Sequence, residues 1–237
     1  MTTLNAREYD WQALNNAVRD TPGDLELEGC LGERFIGCGA SGRTIKINGV
    51  PGNGLGAYLD GGEIICSQNV QDAVGDTMND GKIVAYGSAG DALGYAMRGG
   101  SIYVKGDSGY RTGIHMKEYM EKRPAIVVGG RAGSFLGEYL AGGLIIVLGL
   151  GCESFPTGGF TGTGMHGGEI WIRSSAAPPE LPKQVSIAKA SDISPIKPYL
   201  CEFSRLFGVS MAELEGETFY RLTPNAKSPY KRLYTPN

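Results

Sequence analysis

The sequence has few of the residues on which catalytic or disulfide-stabilised proteins depend. Its 237 residues include two histidines and five cysteines, and no cysteine pair has the CxxC spacing. We therefore expect neither a zinc site nor a disulfide framework, and the thiols should be reduced. The cysteines are Cys30, Cys38, Cys66, Cys152 and Cys201.

Clustered charge and long apolar segments are also missing. The net charge is −3 and no run of five like charges occurs, which argues against a nucleic-acid-binding face. The longest apolar run covers residues 144–148, far short of a membrane span. Because the first residues lack the basic and apolar regions of a secretion signal, we expect a cytoplasmic protein without membrane contacts.

Glycine, by contrast, is abundant. The 38 glycines make up about 16% of the chain, roughly twice the usual share. They do not follow the strict three-residue period of collagen, so they indicate many tight turns.

The glycines belong to a repeat of 19 residues. Isoleucines recur after steps of 19, 19, 19, 24, 19 and 25 residues, from Ile45 to Ile170. Three further series keep the same register, which chance does not explain. The four series are Ile45, Ile64, Ile83, Ile102, Ile126, Ile145 and Ile170; Ile47, Cys66, Ala85, Val104, Val128, Val147 and Ile172; Gly37, Gly56, Gly75, Gly94, Gly113 and Gly137; and Leu59, Met78, Met97, Met116, Leu140 and Met165.

A unit of 19 residues has room for one strand of about four residues and glycine corners, but not for a helix. Leucine-rich repeats have a similar period but need a Leu/Asn consensus that is absent here. We therefore predict an all-β fold, a single-stranded right-handed parallel β-helix of about seven coils over residues 23–173. The longer steps predict loops at residues 117–123 and within residues 148–160.

The two ends of the β-helix need caps against edge pairing. Residues 1–22 are predicted to form an N-terminal cap, with a helix at 8–19 that carries Trp11, Leu14 and Val18 on one face. Residues 174–237 read as a proline-rich linker and a tail. Helices are predicted at 199–207, ended by Gly208, and at 211–215, with an extended segment at 228–234.

The strand residues between the two inward series should point outward. Six of these seven are apolar, which is unusual for an exposed stripe. Either the tail helix or a partner subunit is expected to cover this outward stripe, and the sequence leaves both open. Its members are Lys46, Ile65, Val84, Tyr103, Val127, Ile146 and Trp171.

No motif in the chain is predicted to be a catalytic, cofactor-binding or metal-ligating site. Residues 37–42 and 162–167 match the GxGxxG dinucleotide pattern, but residues 37–42 are followed by a strand instead of the required helix, and both segments sit in coil corners. Ser108 lies in a protease-like Gly-Asp-Ser-Gly segment that aligns with coil corners, and His115 should lie on another side of the coil. His166 is predicted to be a surface residue, and Cys152 lacks a neighbouring base.

Loops that leave a rigid scaffold often carry function, so the loop within residues 148–160 is a candidate partner contact. A merely tolerated insertion is the equal alternative. The corner residues Asp60, Asp72, Asp80 and Asp91 are expected to hydrogen-bond the turning backbone.

The repeat resembles the GXGXG domain family, which includes the C-terminal β-helix domain (domain 3) of the glutamate synthase large subunit and its stand-alone forms. Residues 90–104 also suit the C subunit of formylmethanofuran dehydrogenase. Residues 110–119, residues 137–143 and the tail Arg232-Leu233-Tyr234 look closer to the stand-alone glutamate synthase form.

This resemblance implies a non-catalytic scaffold subunit of a glutamate-synthase-like complex, for glutamine-dependent amination of 2-oxoglutarate or the related N-methylglutamate synthesis. The implied partners are a class II glutamine amidotransferase subunit and an FMN-binding glutamate synthase subunit, with FMN and iron-sulfur on those chains and a homo-oligomer possible. The alternatives are a formylmethanofuran dehydrogenase scaffold and an independent hydrolase or esterase that uses Ser108.

Overall fold

The computed structural model describes residues 1–225 and contains one 11-stranded sheet. The strands follow chain order from β1 to β9, all parallel; β11 then pairs antiparallel with β9, and β10 pairs antiparallel with β11 at the edge of the sheet. This is the predicted all-β parallel solenoid of about seven turns. The strands are β1 (Thr2–Asn5), β2 (Leu25–Leu31), β3 (Thr44–Val50), β4 (Asp60–Cys66), β5 (Asp80–Ala85), β6 (Ser101–Val104), β7 (Ala125–Val128), β8 (Ala141–Val147), β9 (Gly167–Arg173), β10 (Val185–Lys189) and β11 (Phe219–Pro224).

The strand register confirms the predicted series. Ile45 pairs with Ile64, and the pairing continues through every isoleucine of that series to Ile170. All seven are at most 1% exposed, as are the members of the methionine-rich series. Stacked side chains of equivalent residues therefore form the inner core, and the two predicted insertions leave the coil as loops, the second of which packs Phe155 against this core.

Positions of the glycine series must be glycine for two reasons, the backbone conformation and the lack of room for a Cβ atom. Its six members have φ between +64° and +72°, a region that side chains with a Cβ disfavour. A Cβ on Gly37 would lie 2.8 Å from Cδ1 of Ile64, and one on Gly56 would lie 2.6 Å from Cδ1 of Ile83. Each glycine thus makes room for the isoleucine one coil further on.

Polar side chains at the corners hold successive coils together. Oδ1 of Asp72 accepts a hydrogen bond from the backbone N–H of Asp91 at 2.9 Å, and Oδ1 of Asp91 accepts one from the N–H of Tyr110 at 2.7 Å. Asn53 does the same for the N–H of Asp72 at 3.2 Å. The expected role is therefore met by Asp72 and Asp91, which bond the next coil, and by Asp80, which accepts from the N–H of Gly81 in its own corner, whereas Asp60 lies 3.7 Å from Nζ of Lys122.

The N-terminal cap consists of α1 (Trp11–Asp20) and the short strand β1. Asp10 caps the helix by accepting from two backbone N–H groups, and Leu14 and Val18 are buried against the inner core. Trp11 differs from its predicted role, because it is 43% exposed and its ring lies 6.1 Å from that of Phe35 instead of over the core. The predicted cap did not include β1, which extends the sheet beyond β2.

The tail covers the outward stripe. Helices α2 (Lys197–Phe207) and α3 (Met211–Glu215) lie where two tail helices are predicted, and Gly208 ends α2 with φ +72°. Leu200 and Phe203 are fully buried against the stripe. Stripe residues from Val84 to Trp171 are at most 4% exposed, whereas Ile65 is half-buried and Lys46 is exposed.

The tail also contains two strands that the sequence patterns did not indicate, β10 and β11. β11 bonds the edge of β9, so the last coil is closed by antiparallel pairing. Polar contacts also hold the two tail helices on the strands. Nζ of Lys82 lies 2.7 Å from Oε1 of Glu202 in α2, and the guanidinium of Arg173 donates to the carbonyls of Glu213 and Leu214 in α3. The extended segment predicted at 228–234 lies outside the described residues, and the division into three domains stays a prediction.

Candidate functional sites

The serine of the protease-like segment lies inside the coil. Ser108 is 6% exposed, and its Oγ accepts a hydrogen bond from the hydroxyl of Thr112 at 2.9 Å. His115 is exposed, with its ring stacked on Tyr139 at 5.1 Å and edge-on to Tyr95 at 5.9 Å. The structure therefore places the hydroxyl of Ser108 inside the coil and the ring of His115 on the surface.

The remaining polar candidates are also scattered. Among residues 1–225, no group of three or more histidine, cysteine, aspartate or glutamate side chains is placed to hold a metal ion. Nδ1 of His166 lies 3.2 Å from the carbonyl oxygen of Gly164. The five cysteines are free, and two of them, Cys30 and Cys66, are buried. The prediction that the chain has no catalytic or cofactor-binding residues stays a prediction.

The loop within residues 148–160 has a buried base and an exposed tip. Phe155 is buried, with its ring 5.7 Å from Tyr220, and Arg173 donates to the carbonyl of Leu148 at 3.1 Å. The tip, residues 150–154, forms a shallow cleft with Asp107 and Arg131. Burial raises the pKa of the Cys152 thiol, more than the nearby Arg131 lowers it, so this thiol is not activated as a nucleophile.

Aromatic side chains lie along the glycine corners. Phe35, Tyr58, Phe135, Tyr139 and Phe160 have φ between +53° and +62°, a conformation that is costly for bulky residues. We call this set, together with Tyr95, the aromatic corner face. Phe135 and Phe160 stack at 4.9 Å, and Phe160 is 63% exposed.

An ion pair with a buried carboxylate lies beside the aromatic corner face. The guanidinium of Arg111 lies 5.5 Å from the centre of the Phe135 ring and donates from Nε to Glu138 at 2.9 Å. Glu138 is 8% exposed, and a buried carboxylate needs such a partner. The sequence patterns did not reveal this face, because the equivalent corner positions of other coils carry glycine, alanine, threonine, arginine or histidine.

The GxGxxG segment at residues 37–42 forms the corner of the first coil and leads into β3, as predicted. Together with α1, this segment lines a cavity of about 430 Å³. Trp11 of α1, Phe35 and Arg43 also line it. A dinucleotide site needs a helix directly after this segment, and here β3 follows it.

A family model described as the GXGXG motif matches residues 12–225. The chain belongs to the GXGXG motif family. The alternation of left-handed residues at every corner, seen at Phe35, Gly37 and Gly39, gives the glycine repeat of this family its structural basis.

Among known proteins, this GXGXG chain is 44% identical over 251 residues to the uncharacterized protein MJ1350 of Methanocaldococcus jannaschii. The alignment covers 99% of this chain and 96% of the relative. The two chains therefore share one architecture over almost their whole lengths.

A solved structure with the same fold is a chain of the formyltransferase/hydrolase complex FhcABCD from Methylorubrum extorquens, crystallised with methylofuran. The TM-score is 0.64 at 23% identity, over 83% of this chain and 72% of that chain. This likeness establishes a shared fold.

Within residues 1–225, no helix has both the length and the apolar character needed to cross a membrane.

Proposed function

We propose that this GXGXG chain is a non-catalytic scaffold subunit of a glutamate-synthase-like complex. Glutamine-dependent amination of 2-oxoglutarate, or the related synthesis of N-methylglutamate, would take place on partner chains. The partners would be a class II glutamine amidotransferase subunit and an FMN-binding synthase subunit, which would also hold the iron-sulfur cluster.

The observation that carries this proposal is the aromatic corner face on a rigid solenoid. Tyrosine and phenylalanine are enriched in the centres of protein interfaces. Holding such side chains in the left-handed region costs of order 1–3 kcal/mol each. Glycine occupies the same corner positions at Gly39, Gly54 and Gly164, so the exposed aromatic side chains are not needed to form the turn.

The outward stripe supports the proposal in a different way. Because the stripe from Val84 to Trp171 is already buried, most of it by the tail, partner chains would use the corners and the exposed tip of the loop at residues 150–154. The buried Ser108 offers no support for an independent hydrolase.

A second candidate is a scaffold subunit of a complex related to formylmethanofuran dehydrogenase. The observation in its favour is the fold shared with a chain of the FhcABCD formyltransferase/hydrolase complex. Both candidates assign the chain a structural role, and the identity of the partner chains separates them.

The test is purification of the tagged chain from its native cells, with the bound chains identified by mass spectrometry and assayed together. The proposal expects amidotransferase and FMN-binding chains, and glutamine-dependent glutamate formation that falls when the tagged chain is removed. Chains of a formylmethanofuran dehydrogenase would establish the second candidate. Hydrolase activity of the isolated chain, lost in Ser108→Ala, would overturn both.

Interface variants make the test specific to the corner face. Phe160→Ser and Tyr58→Ser should each weaken recovery of the partner chains, because both side chains are more than half exposed. Leu31→Ser is the matched control, since Leu31 is 79% exposed at the end of β2 and outside the aromatic corner face. Equal loss in all three variants would argue against the face as the binding surface.

A further inference from the structure

At every glycine corner after the first, two backbone N–H groups donate hydrogen bonds to carbonyls of the preceding coil. The counterparts of Gly37 do so in six coils at 2.7–2.9 Å, beginning with the N–H of Gly56 to the carbonyl of Ile36. The counterparts of Ser41 do so in six coils at 2.8–3.0 Å, beginning with the N–H of Asp60 to the carbonyl of Ala40.

The first coil has no coil before it, and α1 occupies that position. A helix uses its own carbonyls within its turns, and the carbonyl of Ala17 accepts from the N–H of Thr21 just beyond α1. Arg43 donates to the carbonyls of Val18 and Thr21. Within residues 1–225, neither the N–H of Gly37 nor that of Ser41 has an acceptor. Gly37 is a buried residue, and a buried N–H without an acceptor is costly.

Both residues border the cavity between α1 and the first corner. Its volume of about 430 Å³ is in the range of small-ligand sites. The lining includes two arginines and no carboxylate. Arg43 is held by the end of the helix, while Arg19 makes one side-chain hydrogen bond among the described residues, to Asn16 at 3.1 Å.

The rings of Trp11 and Phe35 form an apolar part of the same cavity. They are 43% and 44% exposed, and their planes are tilted by 51° with centres 6.1 Å apart. Half-exposed aromatic rings beside unpaired donors favour a ligand that has a flat apolar body and an anionic end.

We propose that this cavity binds a small organic anion, a carboxylate or phosphate group carried on a flat ring. The anionic group accepts hydrogen bonds from the N–H groups of Gly37 and Ser41 and faces Arg19. The ring lies against Trp11 and Phe35. This site shares Phe35 with the aromatic corner face proposed for partner chains, and its other lining residues lie outside that face. The proposal does not depend on the scaffold role.

The test is an NMR titration of the ¹⁵N-labelled full chain with phenyl phosphate, benzoate and phenol. Phenyl phosphate or benzoate should shift the amide signals of Gly37 and Ser41 saturably, and the one that binds more tightly identifies the anionic group. Phenol, which lacks the anion, should leave these two signals in place.

Two arginine variants provide the matched comparison. Arg19→Gln should weaken binding about tenfold, the value for one charged hydrogen bond. Arg131→Gln should leave binding unchanged, because Arg131 is an equally exposed arginine at a distant corner. The proposal is overturned if neither aromatic anion moves Gly37 and Ser41, if phenol moves them equally, or if the two variants lose the same affinity.

Discussion

The same parallel strands separate two hydrophobic clusters that are built differently. The inner cluster consists mainly of stacked repeats in which each position meets its own counterpart one coil away, and side chains of α1 and β11 join it at its two ends. The outer cluster joins the outward stripe to side chains of α2, α3 and β11, which follow no repeat. A periodic core can be extended coil by coil, whereas the outer cluster depends on one tail folding back onto the sheet.

The largest expected effect is in the outer cluster. Phe203→Ala removes a fully buried ring, and such a change costs about 4 kcal/mol. The loss should be confined to the tail, since the inner core does not include Phe203. Hydrogen exchange should show faster exchange in α2 and unchanged protection in β4 and β5. Equal loss of protection in those strands would show that the two clusters unfold as one unit.

A glycine of the inner cluster should be almost as sensitive. Gly56→Ala combines a left-handed φ of +64° with a contact to Cδ1 of Ile83, so the free energy of unfolding should fall by about 3 kcal/mol. Gly39→Ala is the control, because φ is +65° but nothing lies within 4 Å of the new Cβ. It should cost about 1 kcal/mol in urea denaturation. Similar losses in both variants would mean that conformation alone requires the glycine.

The bonds between corners should contribute less. Asp91→Ala removes the acceptor of the Tyr110 N–H and should lower the free energy of unfolding by about 1 kcal/mol. Asp91→Asn keeps an oxygen in place, as Asn53 does two coils earlier, and should stay near the wild-type value. Thermal denaturation of the two variants measures the difference, and an equally large loss in Asp91→Asn would instead assign the effect to the negative charge.

The smallest expected effect is a pH dependence of tail docking. Hydrogen bonds from Arg205, and then from Lys82, lower the pKa of Glu202 to about 2, against the opposing effect of desolvation. Because the unfolded value is about 4.3, this contribution is complete above about pH 4.3 and is lost as the pH falls toward about 2.

Trp171 provides the readout for this effect, since it is 2% exposed beneath the tail. Its fluorescence should shift to longer wavelength as the tail loosens in acid. In Glu202→Gln the part of the shift that comes from Glu202 should be absent. An identical acid transition in the two proteins would assign the pH dependence to other carboxylates.

The inner core was predictable at the level of single residues. A period of 19, read with two insertions, placed Ile45 through Ile170 in one series, and each pair is in register in the sheet. The tail helices were predictable from helical spacing and from Gly208, because local periodicity determines them. Strands β10 and β11 were not, since β11 pairs antiparallel with β9 and β10 pairs with β11, outside the register of the repeat.

The candidate sites show the same division. The sequence indicated that Ser108 and His115 do not work together, because both fall on repeat positions that point in different directions. It did not indicate the cavity beside α1 or the unpaired N–H of Gly37. That feature arises only because a helix replaces a coil at one end of the stack.

By itself, then, the sequence determined the coil length, the inward series, the position of both insertions and the positions of the helices. Each of these depends on local spacing or on contacts between equivalent residues, which a repeat makes visible. Only the tertiary structure decided that the tail covers the stripe from Val84 to Trp171, and that the first corner lacks its acceptors. Both depend on contacts between non-equivalent segments, and no periodic pattern encodes which such segments will meet.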